Sequence, residues 1–458
     1  MISTPKYYIV FWKDLDKWTI PKQLFSSTHF PKGWSLVRVG DIVQQATDKV
    51  KVAPDQEYKM VGIKWYGEGT FFRERVKGNS LSASYVTPLI PDAFIYNRLF
   101  AWKGSFAVVP EEHVDCYVSN EFPQFIVNKE RILPRYLYLF FMCNSTINAV
   151  NKASIGSAAV SRNRFKEEDF LNFEIPLPPI SIQHGIIDHW QNYRKEIGTI
   201  NERIAQIIRS FDKELLKKLG IILPDAAPRK GAFTVELRNF ERWDTFFYRQ
   251  DFMQLEKQIL AMNHAPLGEV LNFISMPWKK DDFQTGTFEY IEISAVTKND
   301  GIKESRTVDL SNAPSRATTL IKEGDTIIAT TRPYLGAFAI VPREYNNCVC
   351  SSGFALADKI KHSEIEKEFL LIFLKSPAGL RQMERRMTGG LYPAIVQEEL
   401  EKILVPLLPL VMQRAIIQYS KEGIAEVSEI QGIAERKSQE IKAEIEFLIL
   451  GTKQIKGI

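Results

Sequence analysis

The chain has 458 residues, more than one hydrophobic core normally holds, so we expect two or more domains. Its 59 basic and 55 acidic residues give a formal net charge of +4, a mildly basic balance that does not by itself indicate a nucleic-acid partner. The sequence contains no apolar run long enough for a membrane span and no signal-peptide core at its start, so we expect a cytoplasmic protein without a membrane partner.

The chain repeats one unit twice. Residues 104–110 read GSFAVVP and residues 336–342 read GAFAIVP, and the match continues without a gap to the paired Cys116 and Cys348. Earlier in each copy, residues 13–18 match residues 238–243. Matches that keep their order over the whole length indicate two copies of one structural unit.

Each copy predicts the same succession of elements. Short strands rich in β-branched and aromatic residues come first, at 94–96 and 106–109 and again at 326–330 and 338–341. A helix follows in each copy, over 135–148 and 364–375, and then a loop of small residues. The four cysteines lack paired C-x-x-C spacing, so we expect neither a zinc site nor a disulfide framework. Cys116 and Cys348 fall in strand-like repeats, which favours buried core positions over reactive thiols.

Each copy ends in a long amphipathic helix. Residues 175–183 read IPLPPISIQ and residues 405–413 read VPLLPLVMQ, so both helices start after prolines and carry a glutamine in the first turn. Apolar residues then recur in steps of three and four, which is a heptad seam and needs a second helix to cover it. The first seam is formed by Ile186, Trp190, Tyr193, Ile197, Ile200, Ile204, Ile207 and Phe211. The second seam is formed by Ile417, Ser420, Ile424, Val427, Gln431, Ala434, Ser438, Ile441, Ile445 and Leu448.

Two unrelated surface helices would leave the matched proline and glutamine starts unexplained, so we expect the helices to pair antiparallel as a pseudo-twofold object. The predicted fold class is α+β, with two similar mixed α/β domains separated by these helices.

The doubled GSFAVVP/GAFAIVP block, the two proline–glutamine helix starts and residues 92–104 (DAFIYNRLFAWKG) together resemble the specificity subunit of a type I restriction-modification system. The resemblance implies target recognition domains at 1–180 and 232–409, spacer helices at 181–220 and 410–458, and a linker at 221–231.

The resemblance also implies function and partners. Subunits of this family carry no catalysis; they recruit two methyltransferase subunits, which use S-adenosylmethionine to modify adenine N6, and restriction subunits that translocate DNA. This sequence agrees with that implication, since it has neither an (Asn/Asp)-Pro-Pro-(Tyr/Phe) motif nor a G-x-x-x-x-G-K-(S/T) loop. We therefore expect a non-enzymatic protein of bacterial or archaeal phage defence without a cofactor of its own, with ATP and Mg²⁺ also confined to partner subunits.

The loops before the two long helices are candidates for DNA contact, because small residues let the backbone approach a phosphate and arginine can bind guanine with two hydrogen bonds. The alternative for each loop is an ordinary capped helix start. The candidate residues are Ser157, Ser161, Arg162, Asn163 and Arg164 in the first copy and Gly389, Gly390 and Tyr392 in the second.

Other candidates combine basic, amide and aromatic side chains near glycines, although the aromatic residues could equally belong to a core. They are Lys64, Trp65 and Tyr66, then Asn97, Arg98 and Lys103, and in the second copy Arg332 and Tyr334, with Lys279 as a weaker one.

The leading hypothesis is a reader of double-stranded DNA, in which each domain recognises one half of a split target, while the spacer helices set the gap and dock the methyltransferases. One alternative is a specificity subunit of a type IIB-like system, where modification and cleavage share one partner polypeptide. Another, from a different class, is a coiled-coil scaffold for proteins alone, which would leave the basic, glycine-rich loops without a role.

Overall fold

The computed structural model describes residues 30–154, 164–227, 234–235, 240–279, 282–283, 285–390 and 392–453. The chain divides into two compact units: unit 1 is Met1–Thr199 with Ile433–Ile458, and unit 2 is Ile200–Gly432. Within the described ranges, no helix combines the length and hydrophobicity needed to cross a bilayer.

The described strands and helices of the first copy alternate in short segments before one long helix. They are β1 (Ser35–Arg38), β2 (Val43–Ala46), β3 (Val50–Lys51), β4 (Glu57–Ile63), β5 (Thr70–Lys77), β6 (Tyr85–Pro88), β7 (Phe94–Tyr96), β8 (Phe106–Val108), β9 (Tyr117–Val118), β10 (Gln124–Val127), α1 (Pro134–Met142), α2 (Asn144–Ser154), α3 (Glu167–Leu171), β11 (Glu174–Leu177) and α4 (Ile180–Leu219).

The second copy follows the same succession. Its elements are α5 (Gln250–Leu260), β12 (His264–Pro266), α6 (Leu267–Val270), β13 (Leu271–Ile274), β14 (Thr287–Ile291), β15 (Val296–Thr297), β16 (Gly301–Ile302), β17 (Arg306–Asp309), β18 (Ala317–Leu320), β19 (Thr326–Ala329), β20 (Phe338–Ile340), β21 (Val349–Ser351), β22 (Phe354–Ile360), α7 (Lys367–Lys375), α8 (Pro377–Arg386), α9 (Gln397–Leu400), β23 (Leu404–Pro406) and α10 (Leu410–Ile449).

The sheets have the same topology in both units. The four-stranded order β2-β10-β7-β8 recurs as β13-β22-β19-β20, and the two-stranded pair β1-β11 recurs as β12-β23. A second sheet, β6-β9-β4-β5, recurs as β18-β21-β14-β17, including the parallel pairing of its two central strands. Unit 1 adds β3 at one edge and unit 2 adds the small ribbon β15-β16. The strands predicted from the sequence are therefore confirmed, and so is the internal repeat.

The helix predicted over 135–148 is in fact two, α1 and α2, whereas the helix predicted over 364–375 corresponds to α7 alone and is followed by a second helix, α8. Cys143 has extended backbone dihedrals between α1 and α2, and Ser376 does the same between α7 and α8. In unit 2 the hydroxyl of Ser376 accepts a hydrogen bond from Gly379 N at 3.2 Å, and Pro377 starts the new helix. A side-chain cap followed by proline at the first position favours a fresh helix start.

The paired cysteines of the two copies lie in the interior. Cys116 and Cys348 are both buried, as the sequence predicts. Burial raises the pKa of Cys348 to about 11, so its thiol stays protonated near neutral pH. These residues pack as small apolar side chains.

The two 40-residue helices pair antiparallel within each unit. In unit 1 the start of α4 lies beside the end of α10: Ile186 shares a core with Ile445, and the carboxylate of Glu444 lies 3.3 Å from His189 Nε2. In unit 2 the end of α4 lies beside the start of α10, where the ring of Phe211 stacks on Tyr419 at 5.1 Å between centroids. The predicted fold class, two similar α/β domains with a paired antiparallel coiled coil, is confirmed.

The glutamine in each helix start fastens the helix to its own domain. Gln183 Nε2 donates to Pro178 O and Arg131 O at 2.9 and 3.0 Å, and its Oε1 accepts from Leu133 N at 2.8 Å. Gln413 makes the same three bonds in unit 2, to Leu408 O, to Glu364 O and from Glu366 N. Both side chains are buried, and a buried amide is stable only when its groups find such partners.

The second seam departs from its predicted pattern at one position. Ile424 is 44% exposed, and the adjacent Gly423 faces the first helix instead. A Cβ atom at Gly423 would lie 2.9 Å from Cδ2 of Phe211, so the bulky ring occupies the space that a side chain would need. The large aromatic residue on one helix is accommodated by the missing side chain on the other.

Candidate nucleic-acid interface

In unit 1, the turn that follows the central strand β7 meets the segment that precedes the long helix. Phe165 N donates to Arg98 O at 3.0 Å, which joins the two segments through the backbone. The Arg98 guanidinium donates to Glu167 and, at 2.7 Å, to Asn120 O. Arg164 forms a similar ion pair with Glu121 at 2.8 Å. The structure therefore brings together two segments that lie about 65 residues apart in the sequence.

Asn97 and Arg98 are largely committed to holding this turn. Asn97 is buried, and its Oδ1 accepts from Leu99 N at 3.0 Å. Burial alone would raise the pKa of Glu167, but the hydrogen bond from Arg98 and its charge outweigh that effect and leave the pKa lowered. The carboxylate is thus ionised at neutral pH and paired with Arg98, while the Asn97 side chain is held inside the turn.

Lys64, Trp65, Tyr66 and Lys103 lie together on the same end of β7. The Lys103 ammonium is 3.7 Å from the centre of the Trp65 ring, a cation–π contact. Tyr66 N donates to Lys103 O at 2.8 Å, and Gly67 N donates to Gly104 O at 2.9 Å. The Lys64 ammonium forms an exposed ion pair with Glu68, at 3.7 Å.

Tyr66 is presented to the surroundings by an unusual backbone. Its φ is +56°, a region that residues other than glycine rarely adopt, and its side chain is 69% exposed. The Tyr138 hydroxyl fixes the next residue by donating to Gly67 O at 2.6 Å. A strained backbone held in place by its surroundings is typical of functional sites.

In unit 2 the equivalent turn and loop meet in the same way. Ile395 N donates to Thr330 O at 2.8 Å, which corresponds to the bond from Phe165 N to Arg98 O in unit 1. Arg332 N donates to Pro393 O at 2.7 Å, and its guanidinium lies 4.9 Å from the ring centre of Tyr392. Arg332 has a φ of +49°, and the Tyr392 side chain is 72% exposed.

The other candidates in this loop border the same surface. Gly389 has a φ of +98°, which favours glycine, and a Cβ atom at Gly390 would meet nothing within 4 Å. Tyr334 follows Arg332 in the same turn and is exposed. The turn ends at Gly336 in the left-handed region, as the turn of unit 1 ends at Gly104, which explains the glycine at the head of the repeated block.

Lys279 lies elsewhere in unit 2. Its backbone N donates to Asp282, beside the small aromatic cluster of Trp278, Phe283 and Phe288. Ser157, Ser161, Arg162 and Asn163 lie outside the described residues.

The arginines that precede the loop of unit 2 are structural. Arg385 and Arg386 are buried, and both pair with Glu256 of α5. Arg381 pairs with the buried Asp251. The charges of these arginines are therefore paired with carboxylates about 130 residues earlier in the chain, and the pairs hold α8 against α5.

One segment beside the turn of unit 2 has no match in the sequence repeat. Residues 292–305, which contain β15 and β16, take the place of residues 64–69 between equivalent strands. Lys298 of this segment packs against Gly336 and pairs with Asp212 of α4 at 3.4 Å. The segment is longer than residues 64–69 and differs from them in sequence. Its only signal in the sequence is therefore its position between two matched strands.

Residues 31–219 and 262–442 match the family described as "Type I restriction modification DNA specificity domain". The chain belongs to this family. The two matched segments each include a turn-and-loop surface and most of a long helix.

Relatives in this family match over most of the chain. The type I restriction enzyme MjaVIII specificity subunit of Methanocaldococcus jannaschii is 22% identical over 92% of this chain and 93% of its own length. The putative type I restriction enzyme MjaX specificity subunit of the same organism is 23% identical over 71% of this chain and 69% of its own length.

Solved structures of type I systems also align along nearly the whole chain. A chain from a study of complex assembly and conformational transition of the type I R-M system covers 92% of this chain and 98% of its own length, at 18% identity and a TM-score of 0.49. The HsdS subunit from Thermoanaerobacter tengcongensis covers 94% and 100%, at 17% identity and a TM-score of 0.40.

Proposed function

We propose that this specificity-family chain is the DNA sequence-recognition subunit of a type I restriction-modification complex, and that each domain reads one half of a bipartite target. The proposal depends on one observation: both units have the same backbone arrangement at this surface, but each presents different side chains there. The bond from Phe165 N to Arg98 O recurs as the bond from Ile395 N to Thr330 O. The same arrangement presents Tyr66 and Lys103 in unit 1 but Arg332 and Tyr392 in unit 2, as two readers of different base sequences require.

The exposed side chains and the buried ones have different roles in this proposal. In unit 1, Trp65, Tyr66 and Lys103 face the DNA, with Lys64 at the edge of the contact. In unit 2, Arg332, Tyr334 and Tyr392 do so, and Gly389 and Gly390 allow close approach of the backbone to a phosphate. Arg98 and Arg164 position the turn through Glu167 and Glu121, and Asn97 shapes it. Ser157, Ser161, Arg162, Asn163 and Lys279 remain predicted contacts.

The long helices act as spacers in the proposed complex. Each helix contributes one half of its length to each unit. The length of the paired helices therefore sets the gap between the two half-targets. The outer faces of the helices dock two methyltransferase subunits. The chain itself performs no catalysis. S-adenosylmethionine, ATP and Mg²⁺ bind to the methyltransferase and restriction partners, in the cytoplasm of a bacterium or archaeon. The predicted limits of the recognition domains, 1–180 and 232–409, belong to the same proposal.

Methylome sequencing tests the proposal directly. A host carrying the gene and its methyltransferase partner should show a split, adenine-methylated motif that is absent without the gene. Replacing Arg332 and Tyr392 by alanine should relax or abolish one half of the motif and leave the other half intact. Arg343→Ala, an exposed change in the same unit, is the matched control and should change neither half.

Other outcomes favour the alternatives. If the chain changes no methylation and binds partner proteins without selecting DNA, it is a coiled-coil scaffold. If the co-purifying partner is one polypeptide that both modifies and cleaves, the system is type IIB-like. Alteration of both half-motifs by the unit 2 changes would contradict the assignment of one half-target to each domain.

A further inference from the structure

The β4–β5 hairpin of unit 1 carries a concentration of charge outside the turn-and-loop surface. Its two strands contain four basic and two acidic residues: Lys59, Arg73, Arg75, Lys77, Glu57 and Glu74. All residues of β5 between Phe71 and Arg75 are exposed. The equivalent strands of unit 2, β14 and β17, have one basic residue, Arg306, against two acidic residues, Glu289 and Asp309. The same hairpin is therefore basic in one unit and acidic in the other.

The strand register places like charges directly opposite each other. Lys59 of β4 is the cross-strand partner of Arg75 of β5. Like charges at such positions destabilise a sheet. Lys77, two residues beyond Arg75 and on the same face, is opposite Glu57. The Lys59–Arg75 pair does not help the hairpin to form, whereas an anion bound between the two side chains would remove their repulsion.

Arg73 occupies a bulge at the centre of β5. Phe72 is paired with Val61 and Glu74 with Met60, so Arg73 has no partner in the ladder. Its guanidinium lies 3.2 Å from the carboxylate of Glu74 in an exposed ion pair, the kind that contributes little and that a phosphate can replace. β5 is also the edge strand of its sheet. A bulge and charged side chains at an edge prevent a further strand from adding there. The ligand of this hairpin is therefore not a β-strand of a second protein chain. The positive charge of the hairpin complements the phosphate backbone of DNA.

We propose that the basic face of this hairpin, formed by Lys59, Arg73, Arg75 and Lys77, binds phosphate groups of double-stranded DNA beside the half-target of unit 1. The inference rests on the proposed function. Phosphate contacts add affinity without sequence information, so the hairpin strengthens binding at one half-target only. In unit 2 the two strands carry a net negative charge, and their one basic residue, Arg306, takes the place of Glu74 and pairs with Glu292 at 2.7 Å, so that hairpin does not attract DNA.

Salt-dependent binding tests this proposal. The full chain, co-purified with its methyltransferase partner, is titrated against two fluorescein-labelled duplexes: one with the split motif found by methylome sequencing and one with both halves scrambled. The double variant Arg73→Gln/Arg75→Gln should reduce the slope of log K against log salt by about 1.8, because each phosphate contact contributes about 0.9. Both duplexes should be bound more weakly by the same factor, so that the preference for the motif is kept.

Two further variants act as controls. Arg306→Gln in the hairpin of unit 2 should leave the slope unchanged. Arg73→Lys/Arg75→Lys should retain the wild-type slope, which separates loss of charge from loss of structure. An unchanged slope in the glutamine double variant, or a fall in the preference for the motif, would overturn the phosphate contact while the proposed function still stood. Equal binding of both duplexes by the wild-type complex would overturn both.

Discussion

At the residue scale, the paired glutamines carry a specific prediction. In Gln183→Leu, the amide of Leu133 and the carbonyls of Arg131 and Pro178 lose their hydrogen bonds to a side chain that is itself fully buried. An unsatisfied buried group costs about 1–3 kcal/mol, so we expect local destabilisation of about 2–4 kcal/mol. Hydrogen exchange followed by mass spectrometry should show reduced protection around Leu133, and Gln413→Leu should do the same around Glu366.

Gln418→Leu is the matched control on the second helix. Gln418 is exposed, and its side chain donates to Glu422 one turn further along the same helix, at 2.8 Å. Exposed substitutions of this kind usually change stability by no more than about 0.5 kcal/mol. Equal effects of Gln413→Leu and Gln418→Leu would show that the buried bonds do not fasten the helix to its domain.

Lys375 of unit 2 should make the stability of the folded protein depend on pH. Burial lowers its pKa to about 8; nearby Asp300 opposes this shift and Lys298 adds to it. Its position at the end of α7 corresponds to Met142 at the end of α1. In an unfolded chain a lysine titrates near about 10.4, so the folded state binds the proton less tightly than the unfolded state. The stability of the wild-type protein should therefore rise as pH increases from about 8 towards about 10.4.

Lys375→Met should remove this pH dependence. At pH 7 the variant should be more stable by roughly 1–3 kcal/mol, because the folded state no longer holds a desolvated ammonium group. Chemical denaturation at pH 7 and pH 9.5 measures both effects. Lys257→Met, an exposed change on α5, is the control and should leave the pH profile unaltered. A loss of stability at pH 7 in the Lys375 variant would show that its attraction to Asp300 outweighs the cost of burial.

At the element scale, the two spacer helices contain glycines with opposite expected effects. A Cβ atom at Gly198 of α4 would meet nothing within 4 Å, whereas one at Gly423 of α10 would meet the Phe211 ring. Gly198→Ala should stabilise the helix by about 1 kcal/mol, the usual difference in helix propensity. Gly423→Ala should gain less than this or lose stability, because the ring must leave its stack on Tyr419.

Chemical denaturation followed by circular dichroism at 222 nm compares these variants. The alanine at Gly198 should raise the denaturation midpoint above that of the alanine at Gly423. Gly423→Leu should lower the midpoint further, since a larger side chain cannot fit between the helices. Equal midpoints for both alanine variants would mean that the Phe211 contact places no demand on Gly423.

The same contact shows how far the helices could be predicted from the sequence. Heptad spacing and the proline–glutamine starts were enough to place both helices and their pairing. At one position of the second seam the prediction was wrong: spacing and hydrophobicity favour Ile424 as the residue that faces α4, yet Ile424 is exposed. The choice of Gly423 depends on the size of Phe211 in the other helix, which is set by packing rather than by spacing within α10.

At the scale of the whole molecule, the repeat predicted the order of the elements and one end of each domain as the candidate site. It could not predict which charges are free to act. Arg385 and Arg386 look like a basic patch in the sequence, but Glu256 and Phe247, far away along the chain, bury and neutralise them. Conversely, the basic hairpin of unit 1 becomes visible only when the register places Lys59 opposite Arg75.

The spacer helices allow the proposed measurement of distance on DNA to be tested. We consider an insertion of seven residues in each helix, after Thr199 in α4 and after Gly432 in α10, where the two units divide. One heptad keeps the seam in register and lengthens each helix by about 10.5 Å, at about 1.5 Å per residue. That length spans about three base pairs of B-DNA, at about 3.4 Å per base pair.

The gap of the methylated motif should therefore grow by about three base pairs while both half-targets keep their sequences. Three base pairs also turn the duplex by roughly 100°, given about 10.5 base pairs per turn, so the new motif should be methylated less efficiently than the original. An insertion in α4 alone leaves the antiparallel partner too short and should abolish methylation. Methylome sequencing of the three strains decides the matter, since an unchanged gap in the double insertion would mean that the paired helices do not set the distance between the half-targets.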